Sequence, residues 1–159
     1  MIEKGKPVGE IVAEIGKSKT ALLPILLAVQ EASPENYVSE AAVNEIAAFL
    51  QLSRSRVYST ASFYSEISLE PRGRNIIQVC INAPCENAGK DAIVRALETE
   101  LGVAIGETTP DAEFTLAGVN CLGACYMSPA IKVNGVLHGN LTADDAVGII
   151  RQCKKEALQ

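Results

Sequence analysis

The chain of 159 residues is long enough for one ordinary domain, or for a small domain preceded by a helical module. With 48% apolar and 4% aromatic residues and no low-complexity tract, it has the composition of a chain that folds. A formal net charge of −5 argues against tight binding to a polyanion, since that affinity comes mostly from Lys and Arg neutralising phosphates; a protein or a small molecule is the better partner.

In chain order, Met1 to Gly9 lacks the signal-peptide order of basic region, apolar core and small-residue cleavage site. The longest apolar run, Ala21 to Val29, contains Pro24 and falls short of the roughly 20 residues that span a bilayer. The expectation is a cytoplasmic protein without direct membrane insertion. Apolar residues at helical spacing predict helices over Pro7 to Ile15, Ala21 to Glu31, Glu40 to Leu50 and Arg54 to Ser65; Val43, Ile46, Ala47 and Leu50 form one such stripe. Ser39 and Ser53 stand where a hydroxyl can accept from an orphan amide of a first turn. This module is too short to bury all of Leu22, Leu23, Leu26, Leu27, Phe49 and Phe63 by itself, so some of them should face another chain or the second domain.

Pro71-Arg72-Gly73-Arg74 breaks the pattern, and the period then changes. Ile76 to Ile81 is a β-branched run suited to a buried strand, and Ala88 to Leu101 places Ile93, Val94, Leu97 and Leu101 on one helical face. Phe114 to Val119 reads as a second strand. Ala130 to Val133 and Val136 to His138 flank Asn134-Gly135, a strong hairpin signal. Thr142 caps a last helix, with Asp145 at the third position completing a near capping box. The predicted fold class is therefore α+β: residues 1–72 form a helical bundle that serves as a docking module. Residues 73–159 form a β-α-β-β-β-α domain whose order resembles the thioredoxin fold.

Four of the five cysteines fall in two pairs, Cys80-Ile-Asn-Ala-Pro-Cys85 and Cys121-Leu-Gly-Ala-Cys125. Without export signals thiols stay reduced, so the pairs read as ligands or redox groups rather than a disulfide framework. Each pair is placed just past a predicted strand, in a loop with Pro84 or Gly123; parallel neighbouring strands would bring all four thiolates to one sheet edge. Four thiolates suit an iron–sulfur cluster or zinc. The C-x4-C and C-x3-C spacings are wider than a zinc knuckle and match two irons, one per pair. A structural zinc and incidental thiols are the alternatives. The site residues are thus Cys80, Cys85, Cys121 and Cys125, as ligands of one [2Fe–2S] cluster, with no catalytic residue.

Val79 to Cys85, the run Gly106-Glu-Thr-Thr-Pro-Asp-Ala-Glu-Phe-Thr-Leu116, Cys121-Leu-Gly-Ala-Cys125, Asn134-Gly135 and His138-Gly-Asn-Leu-Thr142 resemble the thioredoxin-like [2Fe–2S] ferredoxin family. Gln30, Ile46 to Leu50 and Val57 to Ser65 are similar to that family's helical amino-terminal module. The family contains the small flavoprotein-associated subunit of NADH:quinone oxidoreductase (complex I). It also contains matching subunits of NAD(P)-linked or electron-bifurcating hydrogenases and of formate dehydrogenases. The resemblance implies one-electron transfer within such a complex. It also implies a partner subunit carrying FMN, the NAD(P)H site and further clusters, and a further catalytic subunit. Ala112 stands where the family usually has Gly, Asn120 where it has Glu, and Ile81 to Pro84 with Glu86 also depart from its pattern.

Glu45 to Val57 also looks like a helix-turn-helix, with Ser-Arg-Ser-Arg opening the second helix, so a zinc- or redox-dependent DNA-binding regulator is the rival reading. The acidic balance and the absence of a wider basic patch weigh against nucleic acid. Cys153, in register with Ala146 and Ile150, reads as a core thiol; His138 reads as structural, and Asp144 and Asp145 as first-turn acids. No glycine-rich dinucleotide turn or P-loop is present, so the chain is not expected to bind a nucleotide itself.

Overall fold

In the computed structural model, which describes residues 2–156, the chain parts into two units, Met1–Arg72 and Gly73–Gln159. The first contains α1 (Val8–Ile15), a 3-10 turn at Lys19–Ala21, α2 (Leu22–Ala32), α3 (Glu40–Leu50) and α4 (Arg54–Phe63). Ser39 Oγ accepts from the Ala42 amide at 3.1 Å and Ser53 Oγ from the Arg56 amide at 3.2 Å, so both predicted caps form. The helix expected to begin at Ala21 instead starts one residue later, after the 3-10 turn. Pro24 thereby falls in its first turn, where the missing N–H costs no hydrogen bond. The fourth helix ends at Phe63 rather than Ser65.

The fully buried Val12, Ile25, Leu26, Ile46 and Val57 bring all four helices into one core, which also takes Leu22. Leu27, Phe49, Tyr58 and Phe63 stay exposed, Phe63 at 79%. Gln30 fastens the segment after α4: its amide donates to the Glu66 carbonyl at 2.9 Å and its side-chain oxygen accepts from the Ser68 amide at 2.6 Å. Residues Gln51 to Ser53 join α3 to α4, and Arg54 at the start of α4 is engaged by Glu40 at 2.7 Å.

The second unit runs β1 (Asn75–Cys80), α5 (Ala83–Asn87), α6 (Lys90–Leu101), β2 (Phe114–Val119), β3 (Ile131–Val133), β4 (Val136–His138) and α7 (Ala143–Glu156). The sheet order is β2-β1-β3-β4, with β1 parallel to β2 and antiparallel to β3, and β3 antiparallel to β4. That is the thioredoxin-like arrangement. Asn134 and Gly135 both adopt positive φ, 49° and 85°, as a two-residue turn matched to strand twist requires. Ile77, Val79, Phe114, Leu116 and Ile131 of the sheet pack with Ile93 and Leu97 of α6 and Ala146 and Ile150 of α7. Cys153 is half-buried at the edge of this core rather than within it, and His138 is half-buried on β4.

Boundaries in this unit also differ from expectation. The first strand stops at Cys80, short of Ile81, and the helix predicted from Ala88 starts at Lys90. Gly89 at φ 91° breaks the helical path between α5 and α6, a conformation glycine adopts without steric cost.

Candidate metal centre

Parallel pairing sets Cys80 level with Val119, and the ladder continues one step as the Ile81 amide donates to the Val119 carbonyl at 2.9 Å. Both strands therefore finish at the same edge, and Cys121 follows two residues beyond Val119. The loops expected to carry the pairs are more ordered than that expectation. Cys80 is itself the last strand residue, Cys85 sits on the short helix α5 with Pro84 in its first turn, and Cys125 opens a 3-10 turn reaching Met127. Cys85 is the buried residue of α5, whereas Cys121 and Cys125 are exposed.

The structure brings all four predicted ligands together as two pairs. Cys80 feels Cys85 as a neighbour, and Cys125 feels Cys121 and, more weakly, both members of the first pair. Burial pushes the Cys80 thiol up, opposed by N–H groups of Asn82 and Leu122 that point at its sulfur. The Cys125 thiol is raised chiefly by its neighbour Cys121. The Gly123 amide donates to Cys121 Sγ at 3.3 Å, and the Cys80 thiol reaches the Asn120 carbonyl at 3.4 Å. Four thiolates this close repel one another, and a polycationic centre bound between them removes that repulsion; the donor set fits an iron–sulfur cluster. Among the described residues no three or more His, Cys, Asp or Glu side chains gather about one point as the shell of a single ion.

Residues 8–154 match the family model described as thioredoxin-like [2Fe-2S] ferredoxin. The chain belongs to that family. Among curated relatives of this ferredoxin-family chain, an NADH-quinone oxidoreductase subunit of Rhizobium meliloti (strain 1021) is 41% identical over 125 residues, covering 79% of this chain and 73% of the relative. NADH dehydrogenase [ubiquinone] flavoprotein 2, mitochondrial, of Dictyostelium discoideum is 33% identical over 149 residues, 92% of this chain and 60% of that protein. The fold matches a chain of the NAD+-reducing [NiFe]-hydrogenase in its air-oxidized state with a TM-score of 0.75 at 23% identity, over 86% of this chain and 23% of that one.

Two further residues lie near the cysteines. Ser128 Oγ lies 3.5 Å from Cys85 Sγ, and Gly139 lies against Met127 in the turn that begins with Cys125. Ser128 has no sequence signal, because it meets Cys85 across 43 residues of chain, whereas Gly139 lies in the His138–Thr142 run that carries part of the resemblance. No described helix is long and apolar enough to cross a membrane.

Proposed function

We propose that this chain is the small, one-electron-carrying subunit of a cytoplasmic NAD(P)H-linked flavin/iron–sulfur oxidoreductase of the NADH dehydrogenase, hydrogenase or formate dehydrogenase type. Cys80 and Cys85 would hold one iron of a [2Fe–2S] cluster, and Cys121 and Cys125 the other. The observation that carries the reading is the meeting of two cysteine pairs at one sheet edge in a chain of this family. Two relatives named as subunits or flavoprotein components of NADH dehydrogenases support the setting.

When bound, the cluster supplies a reversible one-electron centre. The residues around it do the rest. Burial of Cys80 and Cys85 keeps water from the inner sulfurs, while the N–H groups of Asn82, Leu122 and Gly123 offset thiolate charge. Cys121, Cys125 and Tyr126, the last 82% exposed, form the side open to an electron partner. A nicotinamide gives up two electrons as hydride, so a flavin able to take two and pass them singly must stand between it and this chain. FMN and the NAD(P)H site then belong to a partner subunit. Leu27, Phe49 and Phe63, left exposed by the helical unit, are its candidate anchors, with Tyr58 in the groove lined by Val38, Val43 and Leu69.

The test is metal and sulfide analysis, visible absorption and electron paramagnetic resonance of the purified chain. About two irons per chain and one unpaired spin after reduction are expected. A colourless zinc protein, or a signal that requires four irons, would overturn the proposal.

A further inference from the structure

The sulfurs of the centre do not receive hydrogen bonds in the same way. Cys80 faces the amides of Asn82 and Leu122, and Cys121 that of Gly123. Cys85, buried like Cys80, is met by a side chain instead, the Ser128 hydroxyl at 3.5 Å. Ser128 lies past the second pair, and its Oγ also donates to the Cys125 carbonyl at 3.0 Å, while its backbone amide reaches that same carbonyl at 3.4 Å. One hydroxyl thus stands between the sulfur of one pair and the backbone of the other.

The direction of this contact depends on the state of Cys85. A thiol can donate its own proton to Ser128 Oγ, leaving the hydroxyl proton on the Cys125 carbonyl. A metal-bound thiolate has no proton, so the only hydrogen available to the Sγ···Oγ contact is that of the hydroxyl. Turning it costs little, because the Ser128 amide still serves the carbonyl. We infer that Ser128 is a tuning residue of the electron carrier: its hydroxyl donates to the Cys85 sulfur and raises the reduction potential of the bound cluster. This rests on Cys85 being a ligand, as proposed above. Reduction adds one electron, supplied by an external reductant, and breaks no bond; the hydroxyl proton stays on oxygen. The added negative charge, shared by the sulfurs, strengthens a donated hydrogen bond, so the reduced state gains more than the oxidised one.

Ser128→Ala should therefore lower the potential in a dithionite titration followed by electron paramagnetic resonance. The expected shift is about threefold to tenfold in the reduction equilibrium constant, tenfold being about 59 mV for one electron. Ser128→Thr, which keeps the hydroxyl, should titrate close to the unaltered chain. If the alanine variant loads too little cluster, Ser128→Thr against the nearly isosteric Ser128→Val isolates the hydroxyl, and the valine variant should titrate lower. A cluster of unaltered potential in Ser128→Ala, or equal potentials in the Thr and Val variants, would overturn the inference and leave the [2Fe–2S] reading intact. Absence of a cluster from the unaltered chain would instead overturn that reading, and the role of Ser128 with it.

Discussion

Cys80 and Val119 are Cα partners in the parallel pair β1–β2, so the two strands stop level and the chain beyond each turns over the same edge. A shift of one residue in that register would carry Cys121 along by about 3.3 Å and turn β2's buried face outward. Because Phe114 and Leu116 must stay in the core, the hydrophobic register of the sheet also positions the ligands.

Replacing Cys80, Cys85, Cys121 or Cys125 singly by Ser should lower iron per chain, since each removes one thiolate from a pair. Cys153→Ala, a small change in a half-buried group, should keep full iron at a cost of about 1 kcal/mol of stability. Iron analysis of the five variants checks this. Loss of iron in the Cys153 variant alone would contradict the assignment.

Gly139 is needed for close approach. A Cβ there would lie 2.5 Å from Met127 Cγ and 2.7 Å from the Met127 carbonyl oxygen, in the turn that starts at Cys125. Overpacking of this kind costs roughly 1–3 kcal/mol. Gly139→Ala should therefore unfold at lower denaturant and release iron to a chelator faster than the unaltered chain, although it touches no ligand.

Ala112 has φ 55°, in the left-handed region that favours glycine. An alanine there costs about 1–2 kcal/mol, whereas glycine avoids that strain but loses about 0.4–1 kcal/mol through its freer unfolded chain. The first effect is larger. Ala112→Gly should raise the stability of the second unit by about 0.5–1 kcal/mol in chemical denaturation.

The predicted capping box forms: Asp145 Oδ2 accepts from the Thr142 amide at 3.0 Å and from its hydroxyl at 2.6 Å, while Thr142 Oγ1 accepts from the Asp145 amide at 3.2 Å. These bonds from Thr142 hold the Asp145 carboxyl below the usual Asp range. A depressed folded pKa stabilises above the unfolded value of about 3.9, and that contribution is lost as pH falls through the folded pKa. Asp145→Asn should therefore be less stable than the unaltered chain at neutral pH. The gap should close in acid, as thermal unfolding at stepped pH would show.

The cluster-loaded chain, mixed anaerobically with NADH, should show no rapid bleaching of its visible bands until a flavoprotein is added. Rapid bleaching by NADH alone would place a nicotinamide site on this chain and end its reading as an accessory carrier.

Features carried by residue identity and local period were legible before any packing was known. These are the two cysteine pairs, the change from helical to strand spacing after Arg72, the Asn134-Gly135 turn and the Thr142–Asp145 box. Each depends on neighbours within a few residues, where backbone geometry follows from side-chain chemistry. The packing of distant segments decided that Cys85 is the one buried residue of a short, otherwise exposed helix while Cys125 faces outward, that Leu26 enters the helical core while Leu27 stays outside, and that Ala112 takes a left-handed turn. It alone also set Ser128, 43 residues from Cys85, against that sulfur. Such placements are set by which distant surfaces must pack together, and a contact between segments joined by a whole crossover leaves no pattern in either segment.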